Sequence, residues 1–204
     1  MSLIITERGS IWAADQRKRS GDAGTAAEPV LLLVHGAGGT HLVWNAPIRR
    51  LPNVGIVAPD LPGHGKSPEP SRDTVKAYAD DMIALMDAMA IDRDCILGYS
   101  LGGAIALQTG LRQSEPLAGI VALSCYLALA SSFEQERVAA SSAVPIFMAH
   151  GTSDPIVPLA RAVASRDALE AEGHPVEWHQ YAMPHSVNEE EIRDLAAFLK
   201  RVIG

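Results

Sequence analysis

Ser100 stands in Gly98-Tyr99-Ser100-Leu101-Gly102-Gly103, between the apolar run Cys95-Ile96-Leu97 and the apolar segment Ala104-Ile105-Ala106-Leu107. This reads as a strand, a sharp turn and a helix, with a serine at the apex. A serine hydroxyl is a poor nucleophile until a turn exposes it and a base takes its proton. Glycines on both sides give the backbone room for such a turn. The first N–H groups of the helix point at any negative charge that forms beside the serine. The chemistry suggested is attack on a carbonyl, with the resulting oxyanion held at a helix start.

Two later segments carry the partners this attack needs. His185 follows Met183-Pro184, and a histidine accepts a proton near neutral pH. Asp154, in His150-Gly151-Thr152-Ser153-Asp154-Pro155, can accept from the other ring N–H and fix the tautomer. Asp-Pro also suits a plain turn. The oxyanion needs two aimed donors. The N–H of Leu101 is one candidate, and the N–H of Ala37 in His35-Gly36-Ala37-Gly38-Gly39 is the other. Gly38, Trp44, Tyr126, Leu127 and Ile156 lie on or near the same loops and are candidate walls for an acyl group. Trp44 and Tyr126 equally suit a core. His35 and His150 each precede a glycine and read as structural hydrogen-bonding residues. His64 lies in Asp60-Leu61-Pro62-Gly63-His64-Gly65-Lys66-Ser67 and reads as a turn residue. Lys66-Ser67 ends like a phosphate loop but lacks the G-x-x-x-x-G-K-S spacing. With no H-E-x-x-H, Cys/His cluster or dinucleotide fingerprint, neither metal nor cofactor is expected.

Hydrophobic patterning supplies the elements that position these residues. Residues 3–6 and 10–14 flank Gly9 as a hairpin, and 20–29 read as a loop. Apolar runs predict strands over 30–34, 54–58, 95–97, 117–124 and 145–149, and residues 175–181 read as the last strand. Helices are predicted over 74–90, after Ser100, over 158–172 and over 188–203. Val75, Tyr78, Met82, Leu85, Met86 and Met89 share one face, with the methionines as core filler. Alternating strands and helices imply an α/β fold with a mostly parallel sheet covered on both faces. Ligands of such sheets bind at the carboxyl ends of the strands. The segments bearing His35, Ser100, His150 and His185 all fall there.

A chain of 204 residues fits a single domain over 1–204. A net charge of −7, with no basic run longer than Arg17-Lys18-Arg19, argues against nucleic-acid binding. The first residues lack a basic, then apolar, leader pattern, and no apolar run is long enough to span a bilayer. A cytoplasmic protein is the expectation. Cys95 enters its strand while Cys125 leaves the next, too far apart for a disulfide.

With these pieces in place the chain resembles the α/β-hydrolase superfamily over nearly its whole length. Gly98-Tyr99-Ser100-Leu101-Gly102 is similar to its nucleophile elbow, and Ser, Asp, His is its triad order. The loops 35–39 and 60–67 resemble the broad group of esterases, peroxidase-like enzymes and C–C hydrolases. The later half resembles small carboxylesterases and acyl-protein thioesterases. Residues 150–158 match their aspartate loop, 181–190 their histidine loop, and 123–127 a strand end that commonly lines the acyl pocket. Two features depart. Leu101 stands where the thioesterases usually carry glutamine, and the oxyanion loop is not theirs. About twenty residues separate Ser124 from Val144, too few for the multi-helix lid of many relatives, so no large cap and an open site are expected. The resemblance implies a serine carboxylesterase that cleaves short to medium acyl esters through an acyl-enzyme. An acyl thioesterase on the same triad is the alternative. A perhydrolase-type enzyme or C–C hydrolase fits less well without a cap. A non-catalytic binding module would tolerate loss of a triad member, and all three are present. The implied partner is a small-molecule ester or thioester.

Overall fold

A computed structural model of the chain describes residues 1–17, 28–51, 53–91, 94–128, 141 and 143–204. The loop expected over 20–29 and the short insert between Ser124 and Val144 lie largely outside the described residues.

Eight strands form one sheet in the order β1-β2-β4-β3-β5-β6-β7-β8. β1 (Ser2–Thr6) and β2 (Gly9–Asp15) make the expected antiparallel hairpin. β2 also runs antiparallel to β4 (Gly55–Pro59). The remaining pairs, through β3 (Val30–Val34), β5 (Cys95–Tyr99), β6 (Gly119–Leu123), β7 (Ile146–Gly151) and β8 (Val176–Tyr181), are all parallel.

The continuous apolar runs follow from burial on both faces. Val30, Leu32 and Val34 join one core layer, while Leu31 and Leu33 join the other. The first layer is covered by α2 (Val75–Met89), α3 (Leu101–Arg112) and Leu169 of α4 (Leu159–Ala171). The second is covered by α1 (Ala46–Arg49) and α5 (Glu189–Ile203), through Ile48, Leu195, Phe198 and Leu199. Each fully buried leucine in these layers contributes about 2 kcal/mol.

The helices begin where a side chain can satisfy a free N–H. Thr74 accepts from the N–H of Ala77 at the start of α2, and Asn188 accepts from that of Glu191 at the start of α5. α2 stops at Ala90, whose left-handed backbone (φ 52°) turns the chain away. Two elements between β3 and β4 have no counterpart in the sequence expectations. They are a 3-10 turn over His41–Val43 and the four-residue α1.

No helix among the described residues is long and apolar enough to cross a membrane. Cys95 and Cys125 are free and buried, and burial raises both thiols, that of Cys125 to about 12.

Candidate active site

Ser100 sits between β5 and α3 with φ 57° and ψ −123°, a backbone conformation rare outside glycine. Its surroundings hold it there. The Ser100 N–H donates to the Leu123 carbonyl at 2.9 Å, and its own carbonyl accepts from Gly103 and Ala104. The glycines of the motif are close-approach positions. A β-carbon on Gly98 would strike the Gly102 carbonyl, and one on Gly102 would strike the Val34 carbonyl. The Ser100 hydroxyl makes no capping bond to its own helix, which leaves it for other chemistry.

The loop after β3 reaches the same place. A β-carbon on Gly36 would lie 3.2 Å from the Ser100 β-carbon and 3.7 Å from its hydroxyl oxygen. Gly39 N–H closes a turn onto the Gly36 carbonyl at 3.1 Å, with Gly38 at φ 71°. Ala37 stands at the turn's first inner position and is exposed. Leu101 opens α3, so its N–H has no acceptor within the helix.

His35 pins this loop. Its ring is wholly buried, with Nδ1 2.8 Å from the Gly36 carbonyl. Its Nε2 accepts from the Leu61 N–H at 3.0 Å. One donor and one acceptor nitrogen define a neutral ring. Burial holds its pKa below the ordinary histidine value, more than the Gly36 carbonyl raises it. A second anchor joins the same two loops. Asp60 Oδ1 accepts from both the N–H and Nδ1 of His41, at 2.7 and 2.8 Å, and Oδ2 accepts from the Lys66 N–H at 2.9 Å. His41 carries no sequence signal for this: nothing in the spacing joins it to Asp60. Ser67 is structural too, bonded to the Asp60 carbonyl and the Trp12 N–H.

On the other flank, His185 Nδ1 lies 2.7 Å from Asp154 Oδ2. Asp154 is 8% exposed, and its Oδ1 accepts from the N–H groups of Ile156 and Val157 at 2.8 and 2.9 Å. Burial pushes this carboxyl up, but the hydrogen bonds from His185, Val157 and Ile156 prevail and hold it below the usual value. It is therefore an anion at neutral pH, suited to accept from Nδ1–H. His150 supports the loop from beneath, its Nε2 2.8 Å from the Val157 carbonyl and 3.4 Å from Asp154 Oδ2. The Tyr99 ring packs 5.0 Å from that of His185.

Ser100, His185 and Asp154 thus come to the carboxyl ends of β5, β8 and β7. The candidate acyl walls divide. Gly38 and Ile156 are exposed, and Tyr126 is half-buried under the Arg161 guanidinium, 3.8 Å from its ring centre. Trp44 packs in the second core layer with Ile48, and Leu127 packs in the first with its N–H bonded to Ser165. Both are buried, at 5% and 4% exposure. A cavity of about 620 Å³ opens elsewhere, between Pro29, Leu51, Val54, Leu199 and Ile203. It lies at the amino ends of β3 and β4, away from Ser100. Among the described residues no cluster of three His, Cys, Asp or Glu side chains is placed to hold a metal.

Residues 70–203 match the phospholipase/carboxylesterase family. The chain belongs to this family. The match covers Ser100, Asp154 and His185 and begins after the Gly36–Gly39 turn. Acyl-protein thioesterase 1 of Mycosarcoma maydis is 40% identical over 153 residues, 72% of this chain and 64% of that protein. Acyl-protein thioesterase 1 of Neurospora crassa is 38% identical over 62% of this chain and 54% of its own. The chain therefore spans less than two thirds of these relatives' length. Among solved structures, esterase PE8 aligns with a TM-score of 0.77 and 26% identity over 94% of this chain and 99% of its own. Acyl-protein thioesterase 2 of Zea mays shares the fold, with a TM-score of 0.76 and 22% identity over 95% and 99%.

Proposed function

We propose that this protein is a serine hydrolase that cleaves acyl thioesters, and oxoesters second, through an acyl-enzyme on Ser100. The observation that carries the reading is the 2.7 Å His185–Asp154 bond, with the His185 ring packed on Tyr99, the residue before Ser100 in its strained strand-to-helix turn. In the first step Ser100 Oγ attacks the acyl carbonyl while His185 Nε2 takes its proton. Asp154 holds the proton on Nδ1 and stabilises the imidazolium. The N–H groups of Leu101 and Ala37 receive the oxyanion. The C–S or C–O bond then breaks, and His185 protonates the leaving group. Water, deprotonated by His185, releases the acid and restores Ser100.

The order of substrates departs from the sequence expectation, which put carboxylesters first. The relatives named acyl-protein thioesterases favour the thioester reading. The likeness to an esterase keeps ester cleavage as the second activity. Gly38, Tyr126 and Ile156 are the acyl contacts in this reading.

Matched thioesters and oxoesters of graded acyl length, assayed with wild type and Ser100→Ala, test it. A fluorophosphonate should label Ser100, and thioesters should give the higher kcat/KM. Labelling elsewhere, or activity in Ser100→Ala, overturns the catalytic assignment. A panel in which only oxoesters react overturns the thioester reading.

A further inference from the structure

One acidic residue beside the site has no use in this mechanism. Glu191 is the third residue of α5, six after His185, and is 0% exposed. Neither carboxyl oxygen has a hydrogen-bond partner. Its spacing from the N-cap Asn188 is that of a capping box, in which the glutamate reaches back to the N-cap N–H as an exposed anion. Here Asn188 accepts from the Glu191 N–H at 2.8 Å, while the Asn188 N–H pulls on the carboxyl without completing a hydrogen bond of good geometry.

We propose that Glu191 is a positioning residue for His185: buried in its uncharged form behind Tyr99, it seats the first turn of α5, and losing its proton unseats the loop that carries the histidine. This rests on the triad reading above.

The Asn188 N–H favours the Glu191 anion, and the other groups around it that the electrostatics reach carry no free positive charge. Tyr99 of β5 and Tyr181 of β8 both feel its charge. Beyond Tyr99 lie Asp154 and His185, the latter engaged by Asp154. On its own helix Glu190 and Asp194 act on Tyr181, and Tyr181 donates to Asp194 at 2.8 Å. His179 of β8 is taken up by Glu177 at 3.0 Å and lies 3.6 Å from Asp194. The α5 face of β6 and β7 presents Val121, Leu123, Phe147 and Ala149. Burial accordingly raises Glu191 to about 8, against the opposing pull of the Asn188 N–H. Tyr99 is raised to about 12 by burial and by Asp154 and Glu191, so it stays neutral through this range.

The test compares wild type with Glu191→Gln in kcat/KM from pH 6 to 9.5 and in melting temperature from pH 5 to 8. Wild-type kcat/KM should fall about fivefold between pH 8 and 9, as one ionisation requires, and the fall should vanish in Glu191→Gln. The melting readout has a definite sign. A carboxyl raised in the folded state makes wild type lose stability as pH climbs from about 4.5 to 8, relative to the glutamine variant. A capping anion would gain stability instead. Coincident kinetic profiles overturn the proposal, as does a relative gain in melting temperature with pH. A melting difference without a kinetic one reduces Glu191 to a structural residue and also overturns it. Should Glu191→Gln not fold, Glu191→Met keeps the volume without an amide to satisfy and is judged by the same criteria. Residual turnover in Ser100→Ala would instead sink the triad reading and leave the melting comparison standing.

Discussion

Two histidine–aspartate pairs lie on this rim with nearly the same bond and different surroundings. His185 Nδ1 is 2.7 Å from Asp154, and His41 Nδ1 is 2.8 Å from Asp60. The difference is in what else each group touches. The His41 side chain is 8% exposed and its ring packs 4.4 Å from that of Trp12. Its backbone N–H binds the same carboxyl oxygen as its ring. The His185 side chain is 16% exposed, on a loop at the end of β8. One pair is closed on itself and joins two loops; the other leaves its ring partly exposed and packed on Tyr99, the residue before the strained Ser100. A His–Asp bond is thus not a catalytic signature by itself.

The largest effect that would break this contrast is on turnover. His185→Ala and Ser100→Ala should each lower kcat by on the order of 10⁴–10⁶, because triad members act as a unit. His41→Ala should lower kcat/KM no more than about tenfold, or roughly 1.4 kcal/mol. Single-turnover and steady-state assays of the three variants decide it. Comparable losses at His41 and His185 would mean that both pairs serve the chemistry.

Asparagine at each aspartate sharpens the point. Asp154→Asn should cost about 10⁴ in kcat, since an amide stabilises the wrong tautomer. Asp60→Asn should instead cost about 3 kcal/mol of stability, the scale of breaking a buried pair, and about 6–12 °C in melting temperature. Burial raises both carboxyls, but their hydrogen bonds lower them further. Stability from either pair is therefore present above about pH 4 and lost as pH falls through the lowered folded value. Thermal melts of both variants from pH 3 to 7 check the sign.

The same contrast explains what the sequence reveals. The parallel strands are legible because both faces are covered, so alternation collapses into unbroken apolar runs such as Val30–Val34. The segments of the proposed triad are legible because the topology sends the carboxyl ends of β5, β7 and β8 to one edge. The His41–Asp60 pair is not legible. The residues are 19 apart and joined by no motif, and the turn over His41–Val43 is too short to show a period. The burial of Trp44 and Leu127 is hidden for a related reason. An aromatic or leucine near a strand end suits a pocket wall and a core equally, and its spacing in the sequence does not show how deeply it is buried.

The smallest effect concerns a third imidazole, His35, which is locked between two backbone groups and so contrasts with the open ring of His185. Its Nε2 accepts the Leu61 N–H, which only the unprotonated nitrogen can do. Burial already holds its pKa below the ordinary value. The unfolded chain takes up a proton here below about pH 6.5, while the folded chain refuses it until a lower pH. Stability must therefore fall as pH drops below about 6.5 and level off only once the folded ring is protonated. Glutamine has the same donor and acceptor at the end of its side chain but does not titrate. Wild type should lose about 2–4 °C more than His35→Gln between pH 7 and 5, the shift that about 1 kcal/mol gives a chain of this size. Melting curves of the two proteins that run parallel over that range would mean that the His35 ring takes up its proton in the folded state. The Leu61 bond could not then be what holds the loop beside Ser100.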